Sequence, residues 1–471
     1  MKACGWKALS QKEVESIHEA TLAILEKTGV MVGYAPALEA FKKAGARVEG
    51  DRVYLSRQLV EEKLKEAPKE FTLYARNPEK NITIGGDNYI TAPGYGAPFV
   101  TDWKNKKRVA CYADYENFAK LAGASKYLSM TGGVLVEPVD IPEEIRHAKM
   151  HYACIKYSDK CFMGSSCGAK KAQDSIKMAQ ILLGPEHNLQ EKPALISLIN
   201  TISPLVIDER QLGGLMEYAK AGQACIVASL AMAGATSPAS LAGTLAVQNA
   251  EILTGIVLAQ IVRAGAPVVY GSTSSIAEMK YGSLTIGAPE TALIVMATAQ
   301  MAAFYGIPCR AGGTLADSKC VDAQAGWESM MNILTTMTSG IHFVLHAAGI
   351  LESYMSMSYE KFIIDDEMLG MVLRIKKGIE VNEEALPLDV VHKVGPAGHY
   401  LDQEHTFNTF KTEFWRTGIS DRATFDNWRA LGELEINEVA HNKCQEILSA
   451  YQAPSLDPTI EKQLTAFIES L

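Results

Sequence analysis

Apolar positions along the first ninety residues change period several times. Over residues 11–27 Val14, Ile17, Thr21, Leu22 and Leu25 fall at helical spacing, and Gly29 stands where a helix-ending glycine is expected. A helix over 35–44, a strand over 52–55 and a helix opened by Ser56 as N-cap and closed before Pro68 come next. Residues 71–76 and 81–85 alternate like strands joined by an Asn-Pro turn. Residues 1–87 therefore read as a small α+β region.

From Asn88 the pattern becomes regular: short β-rich runs at 89–93, 128–136, 161–164, 194–200, 224–229, 267–271, 307–311 and 342–347. Each is followed by a helical stretch, at 114–124, 143–157, 170–183, 208–221, 241–264, 289–305, 323–338 and 359–377. An open doubly wound sheet gives the same alternation. Eight units, with no glycine-rich dinucleotide fingerprint after the first strand, favour an α/β fold of the (β/α)8 TIM-barrel type over 88–377. Gly94-Tyr95-Gly96-Ala97-Pro98-Phe99 starts like that fingerprint but lacks its third glycine and opens no helix. The remainder, 378–471, reads as a C-terminal extension with helices over 424–450 and 459–470, expected to wrap the barrel or a neighbouring subunit and so to favour a homo-oligomer.

Composition narrows the function. Of 471 residues 48% are hydrophobic, enough for a large core, which excludes disorder. The longest uninterrupted apolar runs fall short of the roughly 18 residues a membrane span needs, so no membrane association is expected. The net charge of −9 argues against nucleic acid as a partner, and Lys104, Lys106, Lys107 and Arg108 read as a solvated loop. Nine cysteines without a C-x-x-C, and residues 1–10 without the apolar core of a signal peptide, suggest a reduced cytoplasmic protein with mostly buried thiols.

In such a barrel the chemistry lies at the C-terminal ends of the strands. Nearly every end here carries glycine, a hydroxyl or both, which would leave an open rim that a large flat object could approach. For any single end, glycine and serine simply make tight loops. Arg310, His346, Asn200 and Tyr95 are the polar or aromatic groups best placed to fix a ligand. His342 and His346 share a predicted strand, four apart, and His346 is the better functional candidate. His147 and His151, also four apart, lie on a predicted helix without the glutamate or third ligand of a zinc site, and a surface helix accounts for them. Asp317, Asp322 and Glu328 read as solvated loop and helix acids. Roles for these three, for Gln324 and for His342 stay open, and no metal site is expected.

Several segments resemble the trimethylamine methyltransferase superfamily: Gly271-Ser272-Thr273-Ser274-Ser275, Ile286-Gly287-Ala288-Pro289-Glu290, Ala311-Gly312-Gly313, Asp322-Ala323-Gln324-Ala325-Gly326, His346-Ala347-Ala348-Gly349-Ile350-Leu351-Glu352 and Gly395-Pro396-Ala397-Gly398-His399-Tyr400-Leu401. The resemblance runs from the first helix to the C-terminus. It implies a (β/α)8 enzyme passing a methyl group from an amine to Co(I) of a separate corrinoid protein, with no tightly bound cofactor of its own. The trimethylamine branch carries pyrrolysine near the stretch corresponding to 340–346, where this chain has only ordinary residues. That departure favours the branch acting on quaternary amines, glycine betaine foremost, with proline betaine and carnitine as alternatives. A methylated cation needs an aromatic or apolar wall, for which Tyr95, Phe99 and Tyr354 are the candidates. Its carboxylate needs donors, for which Arg310, His346 and Asn200 are the candidates, with His346 essential to transfer. A barrel serving only as a corrinoid-protein docking or solute-sensing module is the non-enzymatic alternative.

Overall fold

The computed structural model describes residues 6–471, so Cys4 and the other four N-terminal residues lie outside it. Its centre is eight parallel strands: β1 Ile90–Thr91, β2 Met130–Gly132, β3 Cys161–Gly164, β4 Leu195–Asn200, β5 Ala224–Ser229, β6 Val268–Ser272, β7 Cys309–Arg310 and β8 Phe343–Val344. Around the sheet they run β1-β8-β7-β6-β5-β4-β3-β2. Across the remaining gap the Ser129 N–H donates to Thr91 O at 2.9 Å, so the sheet closes on itself. The intervening helices are α1 Tyr112–Ala124, α2 Glu143–Tyr157, α3 Ala169–Leu183, α4 Glu209–Lys220, α5 Leu241–Val262, α6 Pro289–Tyr305, α7 Ala323–Thr338 and α8 Tyr359–Lys377.

The strands are apolar on both faces because both are buried. Ile196, Leu198, Ile226, Val269, Phe343 and Leu345 fill the interior, while Leu195, Ile199, Val227, Val268 and Val344 pack in the layer beneath the helices. Each such side chain, fully buried, contributes about 1.5–3 kcal/mol. The hairpin of strands Glu70–Leu73 and Ile82–Gly85 adds Leu73 and Ile84 to the interior cluster and plugs the N-terminal end. His342 ties that plug down: Nδ1 accepts from Cys309 N–H at 3.0 Å, which leaves Nε2 to donate to Gly86 O at 3.2 Å.

The helix Gln11–Ala23 opens on a Ser10/Glu13 capping box and packs against α5. Gly29, at φ 72°, follows the wider turn Ile24–Thr28. The N-terminal sheet takes its edge strand, Val206–Ile207, from the loop after β4, paired in parallel with Val30–Val32. Contrary to the run-length argument, α5 has the length and apolar composition of a membrane span. It is buried nearly all round between β5, β6, α4 and the N-terminal helix, which accounts for its apolarity.

Two small sheets cover the C-terminal end. One joins Phe99–Thr101, Lys107–Val109, Ile350–Leu351 and Ser356–Met357; the other joins Met232–Ala233, Ser275–Glu278 and Ser283–Thr285. The single tail helix expected over 424–450 is two, Phe425–Ala430 and Ile436–Ala450, because Gly432 and Glu433 adopt left-handed backbone between them. Leu388–Val394 and Glu404–Glu413 are further helices. Ile436–Ala450 packs on α8 and α1, and Pro458–Glu469 on α3 and α2. All eight described cysteines are free, and Cys154, Cys161, Cys225, Cys309 and Cys444 are buried.

Candidate active site

Arg310 ends β7 with none of its surface exposed. Nη1 donates to Ser272 O at 2.9 Å, while Nε and Nη2 have no partner among the described residues. Leaving buried donors unpaired is costly, so their presence marks a place prepared for an acceptor. Burial lowers the guanidinium pKa to about 10, and Arg310 therefore stays cationic at neutral pH. Two free N–H groups on one planar fork match a carboxylate.

His346 follows β8 at φ 63° and is buried. Phe343 and Leu345 point inward and Val344 outward. Strict alternation would send His346 outward with Val344. The left-handed turn breaks that alternation, so His342 and His346 do not share a strand face as their spacing predicts. The Tyr95 N–H donates to His346 Nδ1 at 3.2 Å, which puts the proton on Nε2. Burial first, then the Arg310 charge, hold the imidazole pKa well below its ordinary value, so it is a neutral donor. Gly313 makes room for this loop: a Cβ there would lie 2.4 Å from His346 O. The same carbonyl accepts from Thr314 N–H at 2.9 Å, and Thr314 Oγ1 donates to Asp365 at 2.8 Å. Asp365 also accepts from Gly349 N–H at 2.7 Å and pairs with Lys361 at 2.5 Å, both side chains buried.

Glu352, Ser353 and Tyr354 form a strap of three successive left-handed residues, at φ 52°, 52° and 74°. Such backbone costs on the order of 1–3 kcal/mol per residue and persists only where its surroundings impose it. Asp317 imposes it here. Its carboxylate accepts from Ile286 and Gly287 N–H, each at 2.8 Å, and from Ser353 Oγ at 2.6 Å. Lys107 pairs with Glu352 at 2.7 Å. The strap lays Tyr354 against His346, ring centroids 4.6 Å apart and tilted by 46°. Burial pushes the Tyr354 phenol up to about 12 and raises that of Tyr95 as well, so both are neutral. The Tyr95 ring occupies space that Gly133 leaves open, since a Cβ there would meet its Cε2 at 2.8 Å.

Arg310, His346, Tyr95 and Tyr354 thus stand close together where β7, β8 and β1 end, near enough for the Arg310 charge to act on the other three. Phe99 lies instead in the covering sheet, its ring already beneath the Lys107 ammonium at 4.2 Å. Asn200 ends β4, three strands from β7, with its backbone N–H on Gln211 and its carboxamide free of any bond among the described residues.

Several side chains differ from expectation. The rim hydroxyls are largely spoken for. Glu251 of α5, fully buried, accepts from Thr201 at 2.6 Å, Ser203 at 2.9 Å, Ser229 at 2.7 Å and Leu205 N–H at 2.8 Å. Ser272 donates to Gln248 at 2.9 Å. Sequence reasoning missed Glu251 because an acid inside a helix ordinarily faces water; its signal was an isolated charge within an apolar helix. Asp317 and Glu328 are buried clamps rather than solvated acids: Glu328 accepts from Asp317 N–H at 2.7 Å and Gln324 Nε2 at 2.8 Å. Asp322 caps α7 through Ala325 N–H. His147 and His151 face the core, not the surface. They bond Asp174 at 3.1 Å and Ser175 at 2.8 Å and so pin α3 to α2. Among the described residues no cluster of three or more metal-ligating side chains occurs.

A family model described as Trimethylamine methyltransferase (MTTB) matches residues 2–470. The chain belongs to the trimethylamine methyltransferase family. Within the family it is 55% identical to the glycine betaine methyltransferase of Desulfitobacterium hafniense (strain Y51), over 98% of this chain and 96% of that one. It is 32% identical to the proline betaine:corrinoid methyltransferase of Eubacterium limosum, over 98% and 97% of the two chains. Among solved structures the monomethylamine methyltransferase (MtmB) of Methanosarcina barkeri matches with a TM-score of 0.55 at 12% identity, covering 95% of this chain and 90% of that one. That likeness bears on the fold, and agrees with the closed barrel of this family member.

Proposed function

We propose that this protein moves a methyl group from glycine betaine to the corrinoid of a carrier protein, releasing dimethylglycine. The observation that carries the substrate class is the buried fork of Arg310, two donors without an acceptor beside two neutral phenols. High identity to a glycine betaine methyltransferase along nearly the whole chain supports the choice within that class. The carboxylate is bound by Arg310 Nε and Nη2 with His346 Nε2–H, and the trimethylammonium faces Tyr95 and Tyr354. Asn200 reaches the substrate from the far rim. Phe99 serves less directly, its ring being paired with Lys107.

The carrier's reduced corrinoid supplies the nucleophile that accepts the methyl group. What this chain offers that large flat group is its mouth. Gly96 has open space where a side chain would stand, and Ile202, Met279 and Tyr281 are exposed on the loops after β4 and β6. When the methyl group departs, the nitrogen keeps the bonding pair and leaves as a neutral amine, so no proton need be delivered. A neutral His346 suits that role: it orients by donating from Nε2 and transfers nothing.

The test combines purified protein, a reduced corrinoid carrier protein and glycine betaine, read as the absorbance change on cobalt methylation. Transfer from glycine betaine, and little from trimethylamine, is expected. Failure with every quaternary amine offered would overturn the reading; transfer only from proline betaine or carnitine would overturn the choice of substrate.

A further inference from the structure

Lys361 and Asp365 stand one turn apart in α8, paired at 2.5 Å with both side chains buried. Taking two charges out of water costs more than their attraction returns unless further hydrogen bonds satisfy both groups. The Lys361 ammonium spends its three protons on Asp365, on Ser329 Oγ at 2.8 Å and on Thr314 O at 3.3 Å. The second Asp365 oxygen accepts from Gly349 N–H at 2.7 Å and from Thr314 Oγ1 at 2.8 Å. Thr314 lies in the loop after β7 and Gly349 in the loop after β8. The pair therefore ties together the two loops that leave Arg310 and His346.

We infer that Lys361 and Asp365 are positioning residues that hold the left-handed turn at His346 and so aim its Nε2–H. The inference rests on the carboxylate role proposed above for His346. A histidine at φ 63° keeps that backbone only where its surroundings impose it. From one side the turn is held by the end of β1: His346 N–H donates to Pro93 O at 3.2 Å, Ala347 N–H to Ala92 O at 2.8 Å, and Gly94 N–H to Ala348 O at 2.8 Å. From the other side Thr314 N–H takes the His346 carbonyl at 2.9 Å, and Asp365 fixes both Thr314 and Gly349. An apolar pair of similar volume would fill the same space in α8 without desolvating two charges. What it could not supply is an acceptor for Gly349 N–H and Thr314 Oγ1, and those two groups lie on either side of the turn.

Two double variants of the full chain test this. Lys361→Met with Asp365→Leu removes the pair, whereas Lys361→Met with Asp365→Asn removes both charges but keeps an acceptor facing Gly349 and Thr314. Both are expected to fold, with thermal midpoints close to that of the wild type. In a crystal structure of the leucine variant the His346 imidazole should be withdrawn from the Tyr95 N–H. Its KM for glycine betaine should rise about 10- to 150-fold, the factor carried by one hydrogen bond to a charged group, with kcat changed less because the carboxylate is held alike before and during transfer. The asparagine variant should recover most of that loss. His346 unmoved, an unchanged KM, or an asparagine variant as impaired as the leucine one would each overturn the inference. Should the leucine variant not fold, Thr314→Val removes a single hydroxyl and is expected to raise KM about 3- to 10-fold; no rise would overturn it equally. If the wild type itself transfers no methyl group, the proposed function fails, and the position of His346 in the crystal structure still decides whether the pair holds the turn.

Discussion

Replacing Arg310 with Met keeps most of the side-chain volume while removing the charge and all donors. The structure sets the magnitude. The guanidinium is wholly buried, spends one N–H on Ser272 and keeps Nε and Nη2 for an acceptor. Truncating one partner of a buried, hydrogen-bonded charge pair costs about 2–5 kcal/mol, which is roughly 30- to 4,000-fold in kcat/KM. That loss should fall on glycine betaine alone. Tetramethylammonium, which has the methylated cation and no carboxylate, should react no more slowly with Arg310→Met than with the wild type. The ligand-free variant should also melt higher, because it no longer buries two unpaired donors and a charge worth about 1–3 kcal/mol of penalty. Glycine betaine should raise the melting temperature of the wild type but not that of the variant. Equal losses on both substrates, or undiminished transfer from glycine betaine, would refute the carboxylate role of Arg310.

Asp317→Ala frees the strained strap; KM for glycine betaine should rise at least tenfold while kcat falls less, as steady-state kinetics would show, and an unchanged KM would detach the strap from substrate binding. Glu251→Leu strands three hydroxyls and the Leu205 N–H, and urea unfolding should report a loss of about 2–4 kcal/mol from those buried donors. Burial lowers the pKa values of His346 and His147, and that of His151 to about 3. Above the unfolded value near 6.5 their neutral forms cost nothing; as pH falls below it the unfolded chain takes up protons that the fold excludes. Stability should then drop, by at most about 1.4 kcal/mol per pH unit for each imidazole and only until its folded pKa is reached. His346→Gln should flatten the urea-midpoint profile between pH 6 and 4, and an unchanged slope would contradict a buried neutral His346.

The barrel was legible because each strand is a short apolar run ended by glycine or a hydroxyl and each helix carries its own period. Strand ends made Arg310 and His346 visible as candidates. The geometry that brings them together was not visible. It depends on positive φ at His346 and at Glu352 to Tyr354, which no residue type there advertises, since none is glycine. Glu251 was missed, and Asp317 and Glu328 were read as solvated, because their partners are backbone N–H groups, hydroxyls and an amide that only the fold brings to them; the lone charge within apolar α5 was the one local sign, for Glu251. His147 and His151 were misplaced likewise, because α2 turns towards α3 a face that reads as polar. The tail reads as an extension from its composition, but how little of residues 378–436 is buried could be seen only in the structure.

The charges around the pocket explain why a betaine suits it better than a tertiary amine. Of the four side chains gathered there only Arg310 is charged; His346, Tyr95 and Tyr354 are held neutral by burial. The nearby carboxylate, Asp317, is turned away and satisfied by Ile286, Gly287 and Ser353. No anion of these residues therefore waits for the substrate's ammonium. A carboxylate there would stabilise the cation before transfer and lose that interaction as the charge leaves nitrogen, slowing the reaction. Two phenol rings supply a weaker contact of about 0.5–2 kcal/mol each, which sacrifices less on the way to the transition state. Trimethylamine, mostly protonated in neutral water, brings a cation but no carboxylate, so it leaves the two free Arg310 donors unpaired in a buried site.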